Sequence, residues 1–164
     1  MINGYIPAAR FLPFLSWTDV AALPDKSNTV IVLPTGAIEQ HGPHLPCSVD
    51  SVISSGVAGH ALARLPATIP AYAIPPIVYG KSEEHLHFPG TLTLSGDTLL
   101  HTLLEIAESL YRAGFRKLLM INGHGGQPQI LQIACREMRL RHGDFIAIPH
   151  DVFNVPNCET VSYT

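Results

Sequence analysis

Charge is scarce in this 164-residue chain. Asp, Glu, Lys and Arg together make up 14% of it, against roughly a quarter in ordinary globular domains. The 10 basic and 13 acidic residues are interleaved and leave a net charge of −3. With no basic tract to displace counterions from a phosphate backbone, nucleic acid and anionic membrane surfaces are excluded as partners. No window approaches the ~18 consecutive apolar residues of a membrane span. Pro7 and Pro13 break the N-terminal stretch, which does not read as a signal peptide. Cysteine pairs are missing too: Cys47, Cys135 and Cys158 are odd in number and far apart, which argues against a disulfide framework or a Cys-x-x-Cys zinc knuckle. Reduced thiols in the cytoplasm are the expectation.

What is present is an apolar fraction of 46%, enough for one domain over residues 1–164 with a single core. Nine histidines, 13 glycines and 14 prolines stand out against the few charges. That combination invites a search for metal or acid–base chemistry.

Along the chain, Ser16 reads as the cap of a short helix reaching Leu23 and stopped by Pro24. Thr29 to Leu33 is a β-branched apolar run stopped by Pro34, the pattern of a strand buried on both faces. A helix starting near Asp50 or Ser48 runs to Leu65, and a proline-broken strand spans Ala73 to Tyr79. Ser95 caps a helix whose leucines recur at three and four residues and which Gly114 closes. Lys117 to Ile121 is the next strand, Pro128 to Arg141 the next helix, and Phe145 to Ile148 the last strand. Alternating buried strands and helices predict an α/β fold with a parallel sheet covered by helices on both faces.

Two segments carry the chemistry. The first, Glu39-Gln40-His41-Gly42-Pro43-His44-Leu45-Pro46-Cys47-Ser48-Val49-Asp50, follows the first core strand, where open α/β sheets place their ligand sites. Residues two apart in extended chain point the same way, so Glu39 and His41 can aim at one point, and Asp50 can close on it from the next helix. The second, Asn122-Gly123-His124-Gly125-Gly126-Gln127, again lies between a core strand and a helix. Two acids and two imidazoles suit a divalent ion such as zinc, manganese or iron. The competing readings are plain helix caps, with Asp50 as an N-cap, and phosphate binding at Gly123 to Pro128. The latter lacks both the third glycine of the dinucleotide fingerprint and a Gly-Lys-Ser/Thr.

Leu33 to Pro46 followed by Asp50, then Gly80-Lys81-Ser82-Glu83-Glu84-His85-Leu86-His87-Phe88-Pro89-Gly90-Thr91-Leu92-Thr93-Leu94, then Asn122 to Gly126, resemble the three successive motifs of the creatininase (creatinine amidohydrolase) family. The match runs from about Ser16 to Val152. The resemblance implies a three-layer α/β/α sandwich with a mostly parallel central sheet and a centre of one or two divalent ions (Zn, Mn or Fe). It implies that Glu39, Asp50 and His124 hold one ion, His41 and Asp50 the other, with Asp50 bridging. The implied activity is hydrolysis of a cyclic amide or formamide C–N bond in a small-molecule substrate, by a metal-activated hydroxide. Homo-oligomeric assembly is implied as well.

His85, in the middle motif, is the candidate for contact with substrate. Glu83 and Glu84 read as a solvated pair, His44 as a structural loop residue, and His87 as packing or surface. His60, His101 and His142 fall on helices or their ends. Neither Ser82 nor Cys47 shows the base and oxyanion donors a nucleophile needs.

The sequence departs from the family in two ways. Gly126 stands where creatinine-cleaving members carry a glutamate that completes the second metal site. The later His-Ala-Gly…Glu-Thr-Ser segment of other members has only a faint echo at Glu159-Thr160. The alternative expectation is therefore a C-terminally short, non-catalytic member that binds metal or a partner subunit without turnover.

Overall fold

A computed structural model describes residues 2–154; Cys158 and Glu159-Thr160 lie outside the described residues. Four strands, β1 (Val30–Thr35), β2 (Ala71–Ala73), β3 (Lys117–Asn122) and β4 (Ile146–Asp151), form one sheet in the order β2-β1-β3-β4. Every pairing is parallel. Helices α1 (Trp17–Ala22), α2 (Val49–Arg64), α3 (Gly96–Arg112) and α4 (Pro128–Arg141) surround it.

Strand periodicity sorts the side chains into two layers of core. Ile31 and Leu33 of β1, paired with Leu118 and Met120 of β3, face Leu99, Leu103, Leu131 and Met138 of α3 and α4. Val32 and Ile121 point the other way, into a cluster with Ala58 and Leu62 of α2 and with Ile6 and Phe11. Helix α2 therefore covers one face of the sheet and α3 with α4 the other, which is the expected three-layer sandwich. The helices form where their sequences say they should. Ser16 accepts from the Asp19 backbone N–H in a capping box. Ser95 accepts from that of Thr98, and Pro128 opens α4. Gly114, at φ 98°, provides the left-handed turn after α3.

Two strands differ from the sequence reading. β1 does not stop at Pro34 but runs through it, with Pro34 paired to Ile121. Even-numbered residues of β1 bond toward β2: Val32 and Pro34 accept from the N–H groups of Ile74 and Ile77. The N–H that Pro34 lacks would face the Pro75-Pro76 break, where the ladder of β2 has already ended, so its loss costs no bond. The second strand is correspondingly shorter, Ala71–Ala73, with only a single bridge from Thr35 to Ile77 beyond it.

The order of strands fixes the site. β1 leads to α2 on one face and β3 to α4 on the other, so the loops after these two central strands diverge at their carboxyl ends, the switch point of an open α/β sheet. Gly123 lets the β3 loop pass against the first turns of α2. A Cβ there would lie 2.5 Å from the Asp50 carbonyl oxygen and 3.2 Å from Ser54 Cβ. Gly123→Ala is therefore expected to destabilise the fold by about 1–3 kcal/mol and to displace Asp50. A urea-denaturation midpoint equal to wild type would contradict the close packing described.

Candidate metal centre

The two central loops and the start of α2 bring Glu39, His41, Asp50 and His124 together. Glu39, Asp50 and His124 are buried, with 6%, 4% and 2% of their surface exposed, and His41 is half-buried. Asp50 is in the first turn of α2 but is not its cap; Ser48 takes that position, without a side-chain bond. The carboxyl of Asp50 instead lies between the two imidazoles. Its Oδ1 is 2.9 Å from Nε2 of His41, and its Oδ2 is 2.8 Å from Nδ1 of His124. Glu39 Oε1 comes within 3.4 Å of the same His124 nitrogen.

The hydrogen bond on the far side of the His124 ring decides which of its nitrogens is bare. His124 Nε2 lies 2.8 Å from the Lys81 carbonyl oxygen, and His41 Nδ1 lies 3.2 Å from that of Glu39. A carbonyl can only accept, so His124 Nε2 carries a hydrogen, and in the neutral ring its Nδ1 is a lone pair turned toward carboxyl oxygens. The orientation of His124 is that common among histidines that bind metal, with the outer N–H given to a backbone carbonyl. His41 faces acceptors at both nitrogens, the Glu39 carbonyl at 3.2 Å and Asp50 Oδ1 at 2.9 Å, so a neutral ring gives its one hydrogen to either and leaves the other nitrogen bare.

Acceptors facing acceptors require positive charge between them. Among the described residues, Glu39 Oε2 and Asp50 Oδ2 are buried without a hydrogen-bond partner. The short approach of His124 to Asp50 Oδ2 is a contact of charge and lone pair, not a well-directed hydrogen bond. Burial works to lower the pKa of His124, but the contact with Asp50, the Lys81 carbonyl and the charge of Glu39 outweigh it, and the imidazole is held above its ordinary 6.5. The pocket thus favours positive charge at this point, whether a metal ion or a proton on His124.

The residues fit a divalent ion. Glu39, His41 and Asp50 each bring one ligand atom within 4.8 Å of the other two, and so do Glu39, Glu84 and His124. Nitrogen and oxygen donors in this mix suit zinc or manganese.

His85 lies at the border of the group. Gln40 Oε1 accepts from the Gly42 N–H, so the Gln40 amide nitrogen donates to His85 Nδ1 at 3.2 Å. The remaining hydrogen of His85 is on Nε2, 3.9 Å from Glu39 Oε1. His44 remains exposed at the loop tip, and His87 packs on Phe88 with ring centroids 4.2 Å apart. Among the cysteines, Cys47 and Cys135 are free; burial pushes the Cys135 thiol up to about 11, which leaves it inert.

Three roles were not legible in the sequence. Glu84, read as a solvated partner of Glu83, brings a carboxylate oxygen within 4.8 Å of ligand atoms of Glu39 and His124. Ser82 is fully buried, with its hydroxyl 3.3 Å from His124 Nε2. Gln127 and Asn122, both fully buried, tie the loops together. Gln127 donates to Gly36 O and Asn122 Oδ1 and accepts from the Lys81 N–H, while Asn122 donates to His124 O and Asp151. No spacing rule marks these contacts, which join segments up to 91 positions apart.

Fold and site together define an α/β protein with a buried histidine–carboxylate centre at the switch point of its sheet. The sequence model of the Creatininase family (creatinine amidohydrolase) matches residues 13–163; the chain belongs to this family. It is 36% identical over 125 residues to the mycofactocin precursor peptide peptidase of Mycolicibacterium smegmatis, covering 75% of this chain and 50% of that protein. It is 34% identical over 138 residues to the creatinine amidohydrolase of Pseudomonas putida, covering 79% and 52%. The chain thus spans about half the length of the curated relatives it matches. Among solved structures, a zinc–zinc form of a mutant creatininase superposes with a TM-score of 0.74 at 32% identity, covering 86% of this chain and 57% of that one. A manganese creatininase gives 0.73 at 31%, covering 87% and 58%.

A proton and a metal ion compete for His124. Its proton adds stability to the metal-free fold that is full below the ordinary value of 6.5 and is lost as pH rises through the raised folded value. Zinc binding is therefore expected to release protons and to weaken as the solution is acidified through that value. Calorimetry in two buffers of different ionisation enthalpy measures this, and a zinc affinity flat from pH 5 to 8 would count against His124 as a ligand.

Proposed function

We propose that this chain is a metal-dependent amidohydrolase acting on a cyclic amide or formamide C–N bond. Glu39, His41, Asp50 and His124 hold one or two divalent ions (zinc, manganese or iron), and His85 is the adjoining catalytic residue, in contact with substrate. One observation carries the reading: the Asp50 carboxylate sits between two imidazole nitrogens, His41 Nε2 at 2.9 Å and His124 Nδ1 at 2.8 Å, with buried Glu39 alongside.

A divalent ion bound there supplies Lewis acidity to a carbonyl oxygen and to water. The side chains do the remainder. The Lys81 carbonyl holds the His124 ring in the ligating tautomer. Gln40 keeps the hydrogen of His85 on Nε2, from which it can donate a hydrogen bond to a polar atom of the substrate. A cavity of about 400 Å³ adjoins His41 and Asp50 and is walled by Leu45, Val49, Ile53 and Phe153. This favours a substrate with an apolar portion beside its amide. The matching peptidase and creatinine amidohydrolase are both named for cleaving C–N bonds, in keeping with that chemistry. Self-association belongs to the same reading, since β4, at the edge of the sheet among the described residues, exposes Ile146 and Ile148.

A second reading, metal binding without turnover, is favoured by Gly126, which leaves the β3 loop without the glutamate of creatinine-cleaving members.

The chain purified without added metal is expected to carry zinc, manganese or iron by elemental analysis and to hydrolyse members of a panel of cyclic amides and formamides. A chelator should abolish that turnover, and Asp50→Ala should lose both metal and activity, the latter by at least about 100-fold. Full activity in a metal-free Asp50→Ala protein rejects the proposal; metal without turnover on the whole panel selects the second reading. Ile53→Asp, at the cavity wall, is expected to raise KM for apolar amides about 10-fold or more while leaving bound metal unchanged. Loss of metal in that variant would place Ile53 in the ligand scaffold instead.

A further inference from the structure

The metal centre has a neighbour that the reading above leaves unused. Glu83 and Glu84 both stand on a single 3-10 turn, Glu83–His85. Successive side chains on such a turn diverge by about 120°, so the two acids cannot share one direction. Glu83 takes the Lys81 ammonium at 3.2 Å; Glu84 reaches the same ammonium only at 3.7 Å. That pair is solvent-exposed and holds Glu84 weakly. On its other side, one Glu84 carboxylate oxygen lies within 4.8 Å of ligand atoms of both Glu39 and His124.

Two further observations point to a cation at this spot. Glu39 is 6% exposed, and its Oε2 is buried without any hydrogen-bond partner among the described residues, which leaves an acceptor in the group to be satisfied. Gly126 forms the floor of the space. A Cβ at 126 would run into Glu84 Oε1 and would stand 2.6 Å from His124 Nε2 and 2.7 Å from the Lys81 carbonyl oxygen. Bare backbone at 126 is what allows the Glu84 carboxylate to lie over the β3 loop beside His124.

We propose that Glu84 is a ligand to the ion held by Glu39 and His124, an inference that rests on the metal centre proposed above. A further carboxylate oxygen makes the donor set harder and favours manganese relative to zinc.

The test uses the whole chain and metal binding, not turnover. Wild type, Glu84→Gln and Glu83→Gln are titrated separately with Mn²⁺ and Zn²⁺ by calorimetry, and with Co²⁺ by visible absorption. Glu83→Gln removes the same charge from the same turn and so controls for long-range electrostatics. Glu84→Gln is expected to weaken Mn²⁺ binding by about 10-fold or more, to weaken Zn²⁺ binding less, and to change the Co²⁺ spectrum. Glu83→Gln should stay within about 2-fold of wild type. Equal affinities and identical spectra for the two variants would overturn the role of Glu84 while leaving the centre standing. A wild-type chain that binds none of the three ions would remove the centre and, with it, this inference.

Discussion

The structure is organised around an electrostatic conflict. Glu39, Asp50, His41 and His124 crowd acceptor atoms together, two of the oxygens are buried without a hydrogen bond among the described residues, and the His124 imidazole spends its N–H on the Lys81 carbonyl. In water such groups would separate. Here a helix and two loops press them together, so a cation between them turns repulsion into attraction. The elevated pKa of His124 is the same conflict seen through a proton.

The fold maintains that arrangement through its strand order. The central strands β1 and β3 send their chains to opposite faces, which opens a crevice between their carboxyl ends. Asp50 comes from the helix on one face, Glu39 and His41 from the loop leading to it, and His124 from the loop leading to the other face. Asn122 and Gln127, wholly buried at the base of the crevice, bond to the loops after β1 and β3 and to the middle segment at Lys81. They hold three separate stretches of chain in register without taking part in ligation.

Much of this was legible in the residues. The apolar runs at 30–33 and 117–121 are β-branched or leucine-rich and flanked by glycine-bearing loops, so strands buried on both faces followed directly. Ser16, Ser95 and Pro128 marked helix starts by local chemistry, and period-two spacing placed Glu39 and His41 on one side. What escaped depends on distant partners. Pro34 reads as a strand breaker until it is known that its missing N–H faces a gap in the neighbouring strand. Glu84 reads as solvated because nothing local says that the middle loop folds back over Gly126. The burial of Gln127 follows only from the crossing of loops remote in sequence.

Gly123 has a consequence for which ion the crevice prefers. Asp50 is carried on a rigid helix, whereas its companions are carried on the sheet's loops, and the hydrogen atom of Gly123 is all that separates the two layers there. With an ion held by Asp50 and His124, the spacing of layers would act as a gauge of ionic radius. Tenths of an ångström in how α2 beds onto the sheet translate into the size of the gap between carboxylate and imidazole. Selectivity among metals of similar chemistry would then be written partly in backbone packing, several bonds away from any donor atom.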